Sequence, residues 1–150
     1  ESLERNFDRS IHPGKEKVKC LKILSVFIEN KPKRLSKIIE ELSKEDISIS
    51  GLAIADAGDF GIVRLIVNDV KKGASILSKH KMIANIQEVV GVKMENSNVA
   101  EVAIILGENN VNIEDAIGYG FIDNERILVL KVDNIELANK VLSKEGFKIY

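Results

Sequence analysis

The sequence is poor in residue types on which several classes of protein depend. It contains one cysteine, Cys20, two prolines, no tryptophan and only 5% aromatic residues among its 150 residues. A single cysteine excludes an internal disulfide and a cysteine-based metal cluster. No apolar run reaches the ~18–20 residues that a membrane-spanning helix needs, and no secretory-signal pattern is present. We therefore expect a cytoplasmic protein that needs neither a metal nor another cofactor.

An excess of charge of either sign is also lacking. The chain has 22 Lys and Arg residues against 23 Asp and Glu residues, which gives a formal net charge of −1. Such a balance produces no overall field that would attract a nucleic acid or an anionic membrane. We therefore predict neither as a partner. The hydrophobic fraction of 45% is typical of a soluble globular protein.

What the sequence does contain is an internal repeat, in which residues 23–79 reappear weakly as residues 89–144. Three segments of the first copy have clear counterparts in the second: residues 28–30, 47–49 and 76–79 match residues 94–96, 111–113 and 141–144. Between the first two of these segments, the first copy carries residues 31–35 and the second only residues 97–99. The repeat predicts two structural units, and the loop kept in one copy indicates where binding takes place.

Each copy shows hydrophobic patterns in the same order. In the first copy, strands are predicted at residues 22–28, 47–55, 61–67 and 82–87, and helices at residues 34–45 and 70–80. In the second copy, strands are predicted at residues 88–94, 111–122, 126–132 and 147–150, and helices at residues 98–106 and 134–144. The order β-α-β-β-α-β predicts an α+β protein of two ferredoxin-like units. Each unit would be an antiparallel four-stranded sheet with both helices on one face.

The predicted division of the chain follows from these patterns. Residues 1–20 form a charged leader outside the core, which could include a helix at residues 1–11. Residues 21–87 form the first domain and residues 88–150 the second. Because almost no linker separates the copies, we expect the last strand of the first to continue into the first strand of the second.

The residue arrangements typical of enzymes are missing from the pattern. His12 and His80 have no neighbouring serine or carboxylate pattern that would make a catalytic triad. Asp56 and Asp59 lie within one tight turn around Gly58, where aspartate commonly bonds to its own backbone. No glycine-rich phosphate-binding loop is present. The sequence therefore predicts a protein that is not an enzyme.

The candidate binding site is the segment that joins the first strand to the first helix, residues 30–35. Free backbone N–H groups and the positive end of the helix dipole attract a carboxylate there. Asn30 offers both a donor and an acceptor, which suits an α-amino acid. Pro32 stiffens the loop, and Lys33 or Arg34 could add positive charge. A solvated basic loop with a proline turn explains the same residues equally well, so both interpretations remain open.

Segment 23–35, with Asn30 and Pro32 in its loop, resembles the first strand, loop and helix start of ACT domains. Residues 47–49, 53–56 and 59–67 are similar to the second and third strands of small tandem ACT proteins. ACT domains bind amino acids between two such domains and usually regulate amino-acid metabolism. The resemblance therefore implies a non-catalytic amino-acid sensor, a homodimer, and a metabolic enzyme or regulator as its partner.

Residue by residue, the resemblance places the loop asparagine of the family on Asn30, its proline on Pro32 and a polar ligand-facing position on Ser48. The predicted ligand-binding residues are Asn30, Lys31, Pro32, Lys33, Arg34, Leu35, Ser48 and Asp56. The family usually has glycine where this chain has Lys33, so a side chain stands where the backbone would approach the ligand. The second copy keeps Asn96 but has a shorter loop without proline, and we expect it to be structural or half of an interface.

Two other functions share this fold. A nucleic-acid-binding module of the RRM type needs stacking aromatics on the open sheet face and a basic surface, for which Phe27 and Phe60 are the available rings. A small acylphosphatase-like hydrolase needs an arginine and an asparagine around a phosphate. Arg34 follows the first strand, but no matching pattern accompanies it. Fold alone does not decide among these functions.

Overall fold

The computed structural model describes residues 20–95 and 99–150. The elements of these residues are, in chain order, β1 (Leu21–Glu29), α1 (Arg34–Lys44), β2 (Ile49–Ala57), β3 (Phe60–Val67), α2 (Val70–Lys79), β4 (Ile83–Lys93), α3 (Val99–Glu108), β5 (Ile113–Ile122), β6 (Glu125–Val132) and α4 (Ile135–Lys144). The predicted α+β class and tandem ferredoxin-like order are confirmed. Apart from Cys20, the predicted leader lies outside the described residues, as do Asn96 and all but Val99 of the second-copy loop at residues 97–99.

The strands form one antiparallel sheet of six, in the order β2-β3-β1-β4-β6-β5. Strand β4 belongs to both units, because its residues 83–89 pair with β1 and its residues 90–93 pair with β6. The predicted continuation of one copy into the next is therefore confirmed. The predicted domain boundary between residues 87 and 88 falls inside this strand, so the two sheets are joined rather than separate.

The end of the chain forms less regular structure than the sequence predicts. Instead of a strand at residues 147–150, a single bridge joins Ile149 to Val92. Two backbone hydrogen bonds support it, from Lys93 N–H to Lys148 O at 2.9 Å and from Tyr150 N–H to Gly91 O at 3.0 Å. On this edge of β4, β1 is paired as far as Val89. Only the last few residues of β4 therefore remain for pairing with the end of the chain.

Both faces of the sheet carry buried apolar side chains. Two clusters lie between the sheet and its helices, one formed with α1 and α2 and the other with α3 and α4. Side chains alternate between the faces along a strand, so Leu24 faces the helices and Ile23 faces away. A third cluster covers that helix-free face and contains Ile23, Ile66, Val89, Ile127 and Val129. The two units therefore share a core, in addition to a strand.

The edge strands β2 and β5 meet at Gly51 and Gly120. A Cβ atom added to Gly120 would lie 2.3 Å from Ile66 Cδ1 and 3.3 Å from the Ser50 carbonyl oxygen, so only glycine fits there without a shift. Nearby, Arg64 of β3 forms a 2.7 Å ion pair with Asp115 of β5. The sheet is therefore curled until its two edges touch, which encloses the third cluster.

Candidate ligand-binding site

The loop after β1 is held against the turn between β2 and β3. The Asn30 backbone N–H donates to Asp59 O at 2.8 Å. The Asn30 side-chain amide donates to Asp56 Oδ1 at 3.1 Å and to Gly58 O at 3.0 Å. The Gly58 N–H donates to the same Asp56 oxygen at 3.0 Å, and Gly58 has a positive φ of 77°, which suits glycine in a tight turn. The structure thus brings Asn30 and Asp56 together, and their contact anchors the loop.

Lys33 adopts the backbone conformation that favours glycine. Its φ of 72° lies in the left-handed region, which a residue with a Cβ atom enters only at a cost. Its carbonyl oxygen accepts hydrogen bonds from Ser36 Oγ and from the Lys37 backbone N–H, both at 3.1 Å. The chain therefore makes a glycine-like turn into α1 with a lysine.

The N-terminus of α1 carries no side-chain cap. By contrast, Asp69 caps α2 by accepting from Lys72 N–H, and Asn134 caps α4 by accepting from Leu137 N–H, each at 3.0 Å. The first turn of α1 also contains no acidic residue. The Arg34 N–H donates to Lys31 O at 3.4 Å, but no side-chain oxygen caps this end of the helix.

Two of the loop cations are engaged by Glu29. The Glu29 carboxylate pairs with Lys31 at 3.0 Å and with Arg34 at 3.2 Å. The hydrogen bond from Lys31 lowers the pKa of Glu29 most, and the positive charges of Lys31 and Arg34 lower it further. Glu29 therefore stays ionised and orients both cations beside the start of α1.

The remaining predicted residues are divided between the two ends of the sheet. Leu35 packs against the apolar cluster beneath α1, and Pro32 lies in the turn before the helix. Ser48 precedes β2, where its N–H donates to Asn68 Oδ1 at 3.1 Å. That end lies a full strand length, about 25 Å at ~3.3 Å per residue, from Asn30. The structure does not bring Ser48 to the loop of its own chain.

An open groove lies beside the loop, between α1, the end of β1 and the start of β4; we call it the α1 groove. It has a volume of about 460 Å³. Phe27 and Phe60 provide apolar surface, with ring centroids 4.9 Å apart and ring planes 16° apart. The basic side chains that line it are Arg34, Lys37, His80 and Lys81. Of the residues predicted from sequence, Arg34 alone lines this groove.

Glu41 on α1 holds two of these basic side chains in place. It is only 6% exposed, and its carboxylate contacts Lys37 and His80, each at 2.8 Å. The Lys37 hydrogen bond lowers the pKa of Glu41 most, with a further contribution from His80. The same hydrogen bond raises the pKa of Lys37. Sequence reasoning missed this network, because His80 is 39 positions from Glu41 and only the packing of α1 on α2 joins them.

The arrangement does not favour the two alternative functions. Phe27 and Phe60 lie on the helix-free face that an RRM would use, but the third cluster buries much of that face between the units. Arg34 pairs with Glu29 rather than facing a phosphate cradle. In residues 20–95 and 99–150, no three His, Cys, Asp or Glu side chains are grouped to hold a metal ion. No helix of the same residues combines the length and apolar character needed to cross a membrane.

Comparison with known proteins identifies the family. Residues 19–149 match the model of the ACT domain pair, so the chain belongs to this family and the predicted resemblance is confirmed. A crystal structure from Bacteroides thetaiotaomicron is 34% identical with a TM-score of 0.79, covering 87% of this chain and 92% of that one. A search of the curated proteins finds no match.

Two regulatory subunits of aspartate kinase share the fold at 12% identity. The subunit from Thermus thermophilus, in its ligand-free form, has a TM-score of 0.58 and covers 87% of this chain and 95% of its own. The subunit from Thermus flavus has a TM-score of 0.54 and covers 84% of this chain and 93% of its own.

Proposed function

We propose that the chain is a non-catalytic regulatory protein that binds a small amino acid at the start of α1. The observation that carries this proposal is the open N-terminus of α1, which no side chain caps. An amino-acid carboxylate would accept hydrogen bonds from the free backbone N–H groups at this position. Asn30 Oδ1 and the Glu29 carboxylate would accept hydrogen bonds from its ammonium group.

The proposed site is preorganised by its own backbone. Asn30 and Asp56 fix the loop to the β2–β3 turn, and Lys33 directs the chain into the helix through its left-handed conformation. The loop would therefore already be ordered before a ligand binds, and binding would carry little entropic cost for ordering it. Membership of the ACT domain pair family supports the same assignment.

We further propose that a homodimer completes the site. Ser48 is distant from Asn30 within the chain, so it would reach the ligand only from a second copy. Strands β2 and β5 contact each other at Gly51 and Gly120, but in the described part of the sheet no ladder pairs them, so the rest of each edge has backbone hydrogen-bonding groups for such a contact. Light scattering of the purified protein should give twice the mass of one chain. A monomer in the presence of saturating ligand would refute this arrangement.

The mechanism of regulation would be linkage. An amino acid that binds one arrangement of the units more tightly shifts the population toward that arrangement, by no more than its difference in affinity. A metabolic enzyme or regulator would then recognise the favoured arrangement.

Thermal unfolding in the presence of each of the twenty amino acids tests the proposal. At about 100 times its Kd, a ligand adds ~2.7 kcal/mol to the free energy of unfolding. The melting temperature should then rise by about 5–10 °C for a chain of this size. One amino acid, or a few related ones, should have this effect. The absence of an increment with all twenty would refute the proposal.

The variant Asn30→Ala should lose this ligand-dependent increment. It also loses the bonds to Asp56 and Gly58, so its melting temperature without ligand should fall and the increment must be measured from that new baseline. The matched control is Asn96→Ala, the counterpart in the second copy, which should keep the increment. An increment that survives Asn30→Ala would place the site elsewhere.

A further inference from the structure

The α1 groove has a counterpart in the second unit, which we call the α3 groove. This cavity of about 300 Å³ lies between α3, the end of β4 and the segment after α4. The repeat aligns the two: residues 28–30 match 94–96, residues 76–79 match 141–144, and β3 and β6 begin at Phe60 and Glu125. The two grooves therefore occupy equivalent positions in the two units.

The side chains at matching positions differ in chemistry. Phe27 and Phe60, which stack at 4.9 Å, correspond to Lys93 and Glu125, which form a 2.5 Å ion pair. On the walls, Lys37 and His80 of the α1 groove correspond to Glu101 and Glu145 of the α3 groove. One groove is apolar with cationic walls, and the other is polar with acidic walls.

The second unit shows that this position does not require aromatic rings for folding, because Lys93 and Glu125 occupy it there. Phe27 and Phe60 are nevertheless each 42% exposed in the first unit. Aromatic surface that lines a groove beside a few charged side chains is typical of small-molecule sites. The cationic walls are also set in position, since Glu29 and Glu41 hold Arg34, Lys37 and His80.

We propose that the α1 groove binds a small organic anion with a flat apolar body, of the arylalkanoate class. A ligand ring would extend the stack of Phe27 and Phe60, and its carboxylate would contact the cationic walls. Arg34 is paired with Glu29, and Lys37 and His80 are paired with Glu41, so the ligand carboxylate would share these partners or contact Lys81, which also lines the groove. The volume of about 460 Å³ lies in the range of sites for small molecules. Arg34 is shared with the proposed amino-acid site, but this ligand needs no ammonium group.

Calorimetric titration with 3-phenylpropionate tests the proposal, because this probe lacks the ammonium group of an amino acid. It should bind at least tenfold more tightly than propionate, which lacks the ring, and than 3-phenylpropanol, which lacks the charge. Equal affinity for 3-phenylpropanol, or no binding of 3-phenylpropionate at 10 mM, would overturn the proposal. Because the probe has no ammonium group, its binding is measured separately from that of any amino acid, so failure of one proposal is distinguishable from failure of the other.

The double variant F27K/F60E gives the α1 groove the ion pair of the α3 groove and should abolish binding while circular dichroism shows a folded chain. Glu101→Gln, in the α3 groove, is the matched control and should bind as the parent does. Lys81→Glu and Phe60→Ser should each weaken binding of 3-phenylpropionate at least threefold. These two single variants test the proposal if the double variant does not fold. Undiminished binding by a folded F27K/F60E, or by both single variants, would overturn the proposal.

Discussion

At the scale of single residues, Lys33 adopts a backbone conformation that suits glycine better than lysine. The turn into α1 requires a positive φ, which glycine adopts without strain. Lysine adopts it here at 72°, although its Cβ makes this region unfavourable by about 1–2 kcal/mol. The strain lies at the start of the helix where we propose that ligand binds.

Replacing Lys33 with glycine should therefore stabilise the protein. The strain of about 1–2 kcal/mol is removed, while the greater entropy of unfolded glycine costs about 0.5–1 kcal/mol. The free energy of unfolding in urea should rise by about 0.5–1 kcal/mol. Lys31→Gly is the matched control, because Lys31 has no positive φ, and it should lower stability. A loss of stability in Lys33→Gly would contradict the strain argument.

At the scale of elements, the start of β6 is tied to the end of the chain by one carboxylate. Glu125 pairs with Lys148 at 2.7 Å and with Lys93 at 2.5 Å, and it accepts a hydrogen bond from the Tyr150 hydroxyl. The Lys148 hydrogen bond is the largest of the causes that lower the pKa of Glu125 to about 2. This network supports the short pairing of Ile149 with β4.

The lowered pKa of Glu125 predicts a loss of stability in acid. A carboxylate whose pKa is lower in the folded state stabilises the fold above its unfolded value of 4.5, and this contribution disappears as the pH falls toward about 2. Glu125→Gln should lower stability at pH 7 and flatten the pH dependence between these values. Glu114→Gln, at an exposed position of β5, should leave the dependence as steep as in the parent.

At the scale of the whole molecule, the curled sheet depends on the close approach of β2 and β5. Gly51 and Gly120 allow it because a side chain at either position would collide with Ile66. The ion pair between Arg64 and Asp115 spans the same two halves. The shared strand and the closed inner face therefore join the two units through both backbone pairing and a common apolar cluster.

Substitution of Gly120 by valine tests this closure. The added Cβ would lie 2.3 Å from Ile66 Cδ1, and overpacking of this kind costs about 1–3 kcal/mol. Denaturant unfolding should show that loss. Gly107→Ala on α3 is the control, because nothing lies within 4 Å of its added Cβ, and stability should stay level or rise by up to ~1 kcal/mol. An unchanged stability in Gly120→Val would show that the edges separate freely.

Part of the candidate site could be predicted because it is local in sequence. Strand β1, the loop with Asn30 and Pro32, and α1 follow one another, so their periodicity and turn residues predict the start of the helix. The contact of Asn30 with Asp56 and the α1 groove could not be predicted in this way. They join residues 26 to more than 50 positions apart, and only chain packing decides such distances.

The sequence by itself determined the element order and the two-unit repeat, because hydrophobic periodicity and turn residues act over a few positions. Only the tertiary structure decided that one six-stranded sheet forms, that it curls until Gly51 meets Gly120, and which side chains line each groove. Each of these depends on which distant strands pair and which faces are buried together. The pattern of residues that are neighbours in sequence does not determine these long-range contacts.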